Sequence, residues 1–241
     1  MVSSLLEVKD LTVHYGDKLI LKNINFTVGR GEFHVLLGPN GTGKSSLLRT
    51  IMGLTHGARV EGKILFEGMD ITRVPIYERA SMGISLMFQH PPSFDGLRVR
   101  DLVDAMILKF GDKLGGVFSV DEFLDRELFK NFSGGEKKKV ELFISSLQNP
   151  KLLMLDEPDS GVDIENIKYI GEHIDYLLES GVSILLVTHQ GFIFNYIEKE
   201  PSKAHVLLNG SIALTGNPNE IISVIMENGY KRGLELLVGV D

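Results

Sequence analysis

The chain has 241 residues, 43% of them hydrophobic, enough for one large α/β domain with a sizeable buried core or for two small ones. Its 25 basic residues against 32 acidic ones leave a net charge of −7, which excludes a general attraction to nucleic-acid phosphates or anionic lipid, so any phosphate site must be local. No cysteine occurs, so disulfides and thiolate ligation of a metal cluster by this chain are excluded, and a reducing cytosol fits.

The first ten residues lack the basic segment and long apolar run of a leader, and no stretch approaches the ~18 apolar residues of a membrane span. The chain is therefore expected to be cytoplasmic, without direct membrane insertion. Three β-rich runs at 6–15, 19–26 and 32–37, separated by Gly16-Asp17 and Gly29-Arg30-Gly31 turns, predict an antiparallel β region leading into a buried strand. Residues 44–54 carry apolar positions at helical spacing, with Gly57 placed just beyond the end. From 87 to 132 the pattern is mainly helical: 97–110 is one helix, and a capping box from Ser119 to Glu122 opens another. This predicts an inserted helical subdomain, about 90–150, within a single domain spanning 1–241. Apolar runs at 151–155 and 182–187 flank a helix at 164–178, which predicts a parallel βαβ unit. Asn209-Gly210 between two apolar runs signals a hairpin, and a helix at 218–228 closes the pattern.

Gly38-Pro39-Asn40-Gly41-Thr42-Gly43-Lys44-Ser45 satisfies the P-loop pattern in the context that pattern requires, after a strand and before a helix. Its glycines let successive backbone N–H groups converge on phosphates at the helix N-terminus; Lys44 adds a point charge and Ser45 can ligate magnesium. The apolar run 152–155 ends in Asp156-Glu157, as a Walker B strand does. Alternation along an extended chain would point the two carboxylates apart, one toward a metal and one toward a water. Phe132-Ser133-Gly134-Gly135-Glu136 opens a further helix. Ser133 and Glu136 make an ordinary capping box, while the two glycines would clear the helix end for a second anion. Lys137, Lys138 and Lys139 are expected to form a solvated face.

The P-loop, the signature 132–136, the Walker B strand and their order resemble the ATP-binding cassette (ABC) family over essentially the whole chain. The resemblance implies an α/β P-loop NTPase of the ABC ATPase type, with an antiparallel β subdomain and an inserted helical subdomain. It also implies ATP and Mg2+ as ligands. Tyr15 then matches the aromatic that stacks on adenine, Gln89 the Q-loop residue, 160–163 the D-loop and His189 the switch histidine. Glu157, His189 and Gln89 would be catalytic. Gly38 to Ser45 and Ser46 would hold the phosphates, and Ser45, Gln89 and Asp156 the magnesium. Ser133, Gly134, Gly135, Glu136 and Asp163 would act in trans, because the family pairs two copies head to tail around each ATP. Phe132 and Glu136 depart from the usual Leu and Gln of the signature without removing its serine or glycines.

At finer grain, 132–139, Asp156 to Ile164 and 225–232 resemble SufC, the ATPase of the Suf iron–sulfur cluster assembly system. That resemblance implies soluble SufB/SufD-type scaffold partners, which would carry the thiolates this chain lacks. The alternative is the nucleotide-binding subunit of a membrane importer, with the surface near Gln89 and the 97–110 helix gripping a permease. A nucleotide-gated module with negligible turnover is disfavoured by the presence of Glu157 and His189. The segment 90–99 is the expected partner-sensing loop, and without ATP the chain is expected to be a monomer or weak dimer.

Overall fold

A computed structural model describes residues 4–112, 114, 116–189 and 191–238. The opening strands β1 (Ser4–Tyr15) and β2 (Lys18–Gly29) pair antiparallel, as expected, and β4 (Ala58–Phe66) and β5 (Met69–Asp70) extend them into a sheet of order β2-β1-β4-β5. The second sheet has the order β10-β9-β3-β8-β7-β6. It is built from β3 (Phe33–Leu37), β6 (Ile84–Met87), β7 (Leu152–Asp156), β8 (Ser183–Thr188), β9 (Lys203–Leu208) and β10 (Ser211–Gly216). All neighbours in it are parallel except the β9–β10 hairpin, whose turn residues Asn209 and Gly210 both take positive φ, 47° and 76°. That is the backbone a two-residue hairpin loop demands.

Every residue of β3, β6, β7 and β8 is buried, as continuous apolar runs with both faces covered should be. The period of two divides them between two cores. Leu36, Leu152, Met154, Leu185 and Val187 pack with Leu47, Leu48 and Ile51 of α1 (Lys44–Met52) and with the antiparallel sheet. Val35, Leu37, Leu153, Leu155 and Leu186 pack with Ile167, Ile170 and Ile174 of α5 (Ile164–Glu179) and with Ile221 and Ile225 of α6 (Pro218–Val238). Between the adjacent strands β6 and β7 the chain runs through α3 (Val99–Phe110) and α4 (Gly134–Leu147), which build a third core around Val103, Phe123, Phe132, Val140 and Phe143.

Three local expectations are corrected. α1 stops at Met52, because Gly53 takes the left-handed φ of 87° and its N–H closes the helix on Arg49 O and Thr50 O; Gly57 lies well past the end. Ser119 does accept an N–H, from Asp121 at 3.0 Å, but it caps only a 3₁₀ turn, Asp121–Phe123. A region left without elements by the sequence pattern holds β4, β5 and α2 (Ile76–Met82).

α2 has one structural role that its amphipathic pattern hides. Arg79 is 2% exposed, and its guanidinium donates to Thr50 O (2.9 Å), Ile51 O (2.7 Å), Val74 O (2.8 Å) and Thr72 O (3.1 Å). It thereby satisfies the last carbonyls of the helix that follows the P-loop. Replacing Arg79 by Met keeps the stem and orphans these acceptors. Urea unfolding of the variant should show a loss of roughly 3 kcal/mol; a loss under ~0.5 kcal/mol would mean that water replaces the guanidinium.

Candidate active site

The C-terminal ends of β3, β8, β7 and β6 lie side by side, and the chain leaves them as Gly38, His189, Glu157 and Phe88-Gln89. Open parallel sheets place their ligand crevices at such an edge. In the P-loop turn, a Cβ on Gly38 would sit 2.4 Å from Leu207 O, and one on Gly43 (φ 105°) 2.9 Å from Leu21 Cδ2. The turn therefore fits only as glycine, and it brings the N-terminal N–H groups of α1 around a cavity of about 370 Å³ lined by Asn40, Gly41, Lys44, Ser45, Gln89 and Glu157 among others. Lys44, 4% exposed, donates to Gly38 O (2.7 Å) and Pro39 O (3.0 Å) and lies 3.8 Å from Glu157 Oε1. Burial pulls its ammonium pKa below the usual lysine range, against the opposing pull of Glu157 and Asp156. Ser45 Oγ donates to Asp156 Oδ1 at 3.0 Å; burial pushes the Asp156 carboxyl up.

Asp156 and Glu157 do take separate directions, but strand alternation is not the cause. β7 ends at Asp156, and Glu157 adopts the left-handed φ of 50° while its N–H donates to Val187 O at 2.9 Å. A non-glycine residue held there is strained, and the neighbouring strand supplies the restraint. Its carboxylate accepts from Gln89 Nε2 (2.6 Å) and stands 3.1 Å from His189 Nδ1. Gln89 thus lies on Glu157 rather than on the Ser45–Asp156 pair. Tyr15, at the end of β1 and 39% exposed, does not line the cavity; Lys18, its register partner on β2, and Ile20 do.

The signature residues Ser133–Glu136 do not line the P-loop cavity either. Ser133 caps α4 by a full capping box: Glu136 N–H donates to its Oγ (3.2 Å) and its own N–H donates to Glu136 Oε2 (2.7 Å). Arg126 holds the other side of Glu136 at 3.0 Å and lies over the Phe132 ring. The glycines clear space for the chain itself: a Cβ on Gly134 would be 2.7 Å from Gly161 O, and one on Gly135 2.4 Å from Asn166 Nδ2. Asp163 caps α5 by accepting from Asn166 N at 3.0 Å.

The lysine run is not one solvated face. Lys139 is partly covered, paired with Glu122 at 2.8 Å, whereas Lys138 is 3% exposed. Lys138 Nζ donates to Phe88 O (2.7 Å), and Phe88 N–H donates to Glu141 Oε1 (2.6 Å). Two residues of α4, one turn apart, therefore grip both backbone groups of the residue before Gln89. The signal in the sequence was Glu141, a charge wedged between Val140 and Leu142 three residues after a lysine. A second missed pair is Asp159 and Thr188: the Thr188 hydroxyl lies 3.0 Å from Asp159 Oδ2 and accepts from Gly191 N, tying the loop after β7 to the loop after β8.

The sequence profile of the ABC transporter family matches residues 21–160. The chain belongs to that family, has its ABC ATPase fold, and is an ATPase that takes ATP with Mg2+. It is 36% identical over 230 residues to the uncharacterized ABC transporter ATP-binding protein MJ0035 of Methanocaldococcus jannaschii, covering 90% of each. A nucleotide-free ATP-binding cassette from an ABC transporter superposes with a TM-score of 0.79 at 25% identity, over 97% of this chain and 98% of that one. The cassette MJ0796, solved as a dimer in a post-hydrolysis state with ADP and Pi, shares the fold at 22% identity and a TM-score of 0.71, over 88% of this chain and 98% of that one.

Burial raises the Glu141 carboxyl to about 7, against the pull of Lys138 and the Phe88 N–H. A folded pKa above the unfolded one means that the native state binds the proton more tightly between the two values. The stability this group contributes is full below about 4.5 and is lost as pH rises through about 7. The unfolding free energy of the wild type minus that of E141Q should therefore decline across that window and be flat above it. A difference that is flat or rising from pH 4.5 to 7 would show that Lys138 keeps Glu141 ionised.

Proposed function

We propose that this chain is the ATP-hydrolysing subunit of an ABC transporter, working at the cytoplasmic face as two copies that sandwich ATP head to tail. The observation that carries the reading is the division of labour within one copy. Lys44, Ser45, Asp156, Gln89, Glu157 and His189 gather at one strand edge, while the capped N-terminus of α4 belongs to a different face. One copy supplies half of what encloses a nucleotide, and a dimer related to the MJ0796 assembly would supply the other half.

The residues fit MgATP. The glycine turn leaves room only for backbone N–H groups, and the serine hydroxyl, carboxylate and amide oxygen are the hard donors magnesium prefers. Ser45 and Asp156 would hold the metal, which offsets charge on the β- and γ-phosphates. Lys44 would leave its carbonyl contacts at Gly38 and Pro39 for the phosphate oxygens. Glu157 would exchange its Gln89 contact for the attacking water, whose oxygen bonds to the γ-phosphorus as the bond to the β-bridging oxygen breaks, leaving ADP and phosphate. His189 would steady the γ-phosphate from the opposite wall, Gln89 would sense the metal and water, and Tyr15 would stack on adenine at the rim. From a second copy Ser133, Gly134, Gly135, Glu136 and Asp163 would close the site.

The transporter reading is supported by the name of MJ0035 and by the family itself. The partner would be a permease held near 90–99, where Phe94 is 45% exposed two residues beyond Pro92. A soluble SufB/SufD-type scaffold is the second reading. It is favoured by the residues on which the SufC resemblance rests, because Glu136, Lys138 and Asp159 are each locked by specific partners rather than left on the surface. Affinity capture of the tagged chain from membranes and cytosol separates the two: an integral membrane permease upholds the first, and cysteine-bearing soluble proteins replace it with the second.

Glu157→Gln keeps size and loses the base. Its hydrolysis rate should fall by about 100-fold or more, with MgATP affinity preserved and a nucleotide-bound dimer accumulating in light scattering. Turnover at the parent rate would remove Glu157 from the mechanism.

A further inference from the structure

The last helix reaches into the active site by a single hydroxyl. α6 is broken at Gly229 (φ 72°, ψ 171°), where Asn228 Nδ2 closes the first part on Val224 O at 3.0 Å. The next residue, Tyr230, accepts from Gly38 N–H at 3.1 Å and donates to His189 O at 3.2 Å. These two positions are not arbitrary. The ladder between β3 and β8 ends at the pair Leu37 and Thr188, so Gly38 and His189 are the residues one step further on, where the P-loop and the switch loop diverge. The phenol oxygen bridges them at the point of divergence. Gly38 has no freedom to move toward it or away, since any Cβ there would meet Leu207 O at 2.4 Å. A second contact from the same helix falls on the same loop: Gly191 (φ 69°) would place a Cβ 3.0 Å from Met226 Cε. Burial lifts the Tyr230 hydroxyl to about 12, so it keeps the proton it donates.

We propose that Tyr230 is a positioning residue for ATP hydrolysis: its hydroxyl fixes the backbone of His189 against the first residue of the P-loop and so sets where the imidazole stands relative to the γ-phosphate. The phosphate-binding N–H groups come from the other end of the turn, 41–46, so the bridge acts on catalysis and spares nucleotide binding. It rests on the reading of His189 given above.

Tyr230→Phe deletes one oxygen and keeps the ring. Steady-state ATPase of the purified full chain should show kcat reduced roughly three- to tenfold, with the Kd for MgATP, measured by titration, within about twofold of the parent. In an H189A background the same substitution should have no further effect, because the residue it positions is gone. An unchanged kcat in Y230F, a parallel loss of MgATP affinity, or a full multiplicative loss on top of H189A would each overturn the proposal. The single H189A variant separates this from the underlying reading. If H189A hydrolyses ATP at the parent rate, the assignment of His189 falls and takes Tyr230 with it; if H189A is impaired and Y230F is not, only Tyr230 falls.

Discussion

Everything at this site depends on the register of the parallel strands. β6, β7, β8 and β3 are paired so that their C-terminal ends emerge along one edge, and Gln89, Glu157, His189 and Gly38 each lie within two residues of a strand end. Both faces of these strands are buried, with alternate residues committed to different cores. A slip of one residue would exchange the two sets and is strongly disfavoured. Packing energy thereby fixes positions that the catalytic groups themselves have no means of fixing.

The electrostatics of that edge bind the two working ends of one copy together. Asp156, Glu157, Asp159 and Glu141 are all at most 5% exposed, and the buried cations that offset them include Lys44 and Lys138. Burial raises the carboxyls of Asp156, Asp159 and Glu141 and lowers the pKa of both lysines, so each charge is retained at a cost that only its neighbours reduce. Lys138 is central to this balance. It sits on the helix that the signature begins, yet its ammonium contacts Phe88 O and lies 3.4 Å from Asp156 O. Any shift of α4 against the sheet therefore pulls on the residue that precedes Gln89, and Gln89 in turn bonds to Glu157.

The legible parts of the sequence were those whose chemistry is local. The P-loop turn, the Asp156-Glu157 pair and the Asn209-Gly210 hairpin each follow from a few adjacent residues whose backbone needs are specific, and the buried strands followed from apolar runs. What stayed hidden depends on contacts far apart in sequence. Arg79 reads as a surface position on a short helix until the carbonyls of Thr50 and Ile51 are seen around it. Lys138 is indistinguishable in composition from its exposed-looking neighbours, because only helix phase and the position of β6 decide which lysine is buried. The direction of Glu157 was foreseen on a wrong premise: alternation stops where the strand stops, and a left-handed residue does the separating. Tyr15 shows the opposite failure, a residue assigned by likeness that stands at the rim without lining the cavity.

The glycines of the signature change what that motif means physically. Their absence of side chains admits Gly161 O and the Asn166 amide, so the N-terminus of α4 and the segment leading into α5 are packed without a gap. Both helices are capped by their own side chains, Ser133 and Asp163, whose remaining polar capacity is already engaged with Glu136 and Asn166. Two helix N-termini, each with a positive dipole end, are thus held as one rigid unit. A substitution at Gly134 or Gly135 would separate them before it touched any nucleotide. Loss of hydrolysis in such a variant would therefore report on the joint between signature and D-loop as much as on phosphate contact, and the Ser133 hydroxyl is the more selective probe of the latter.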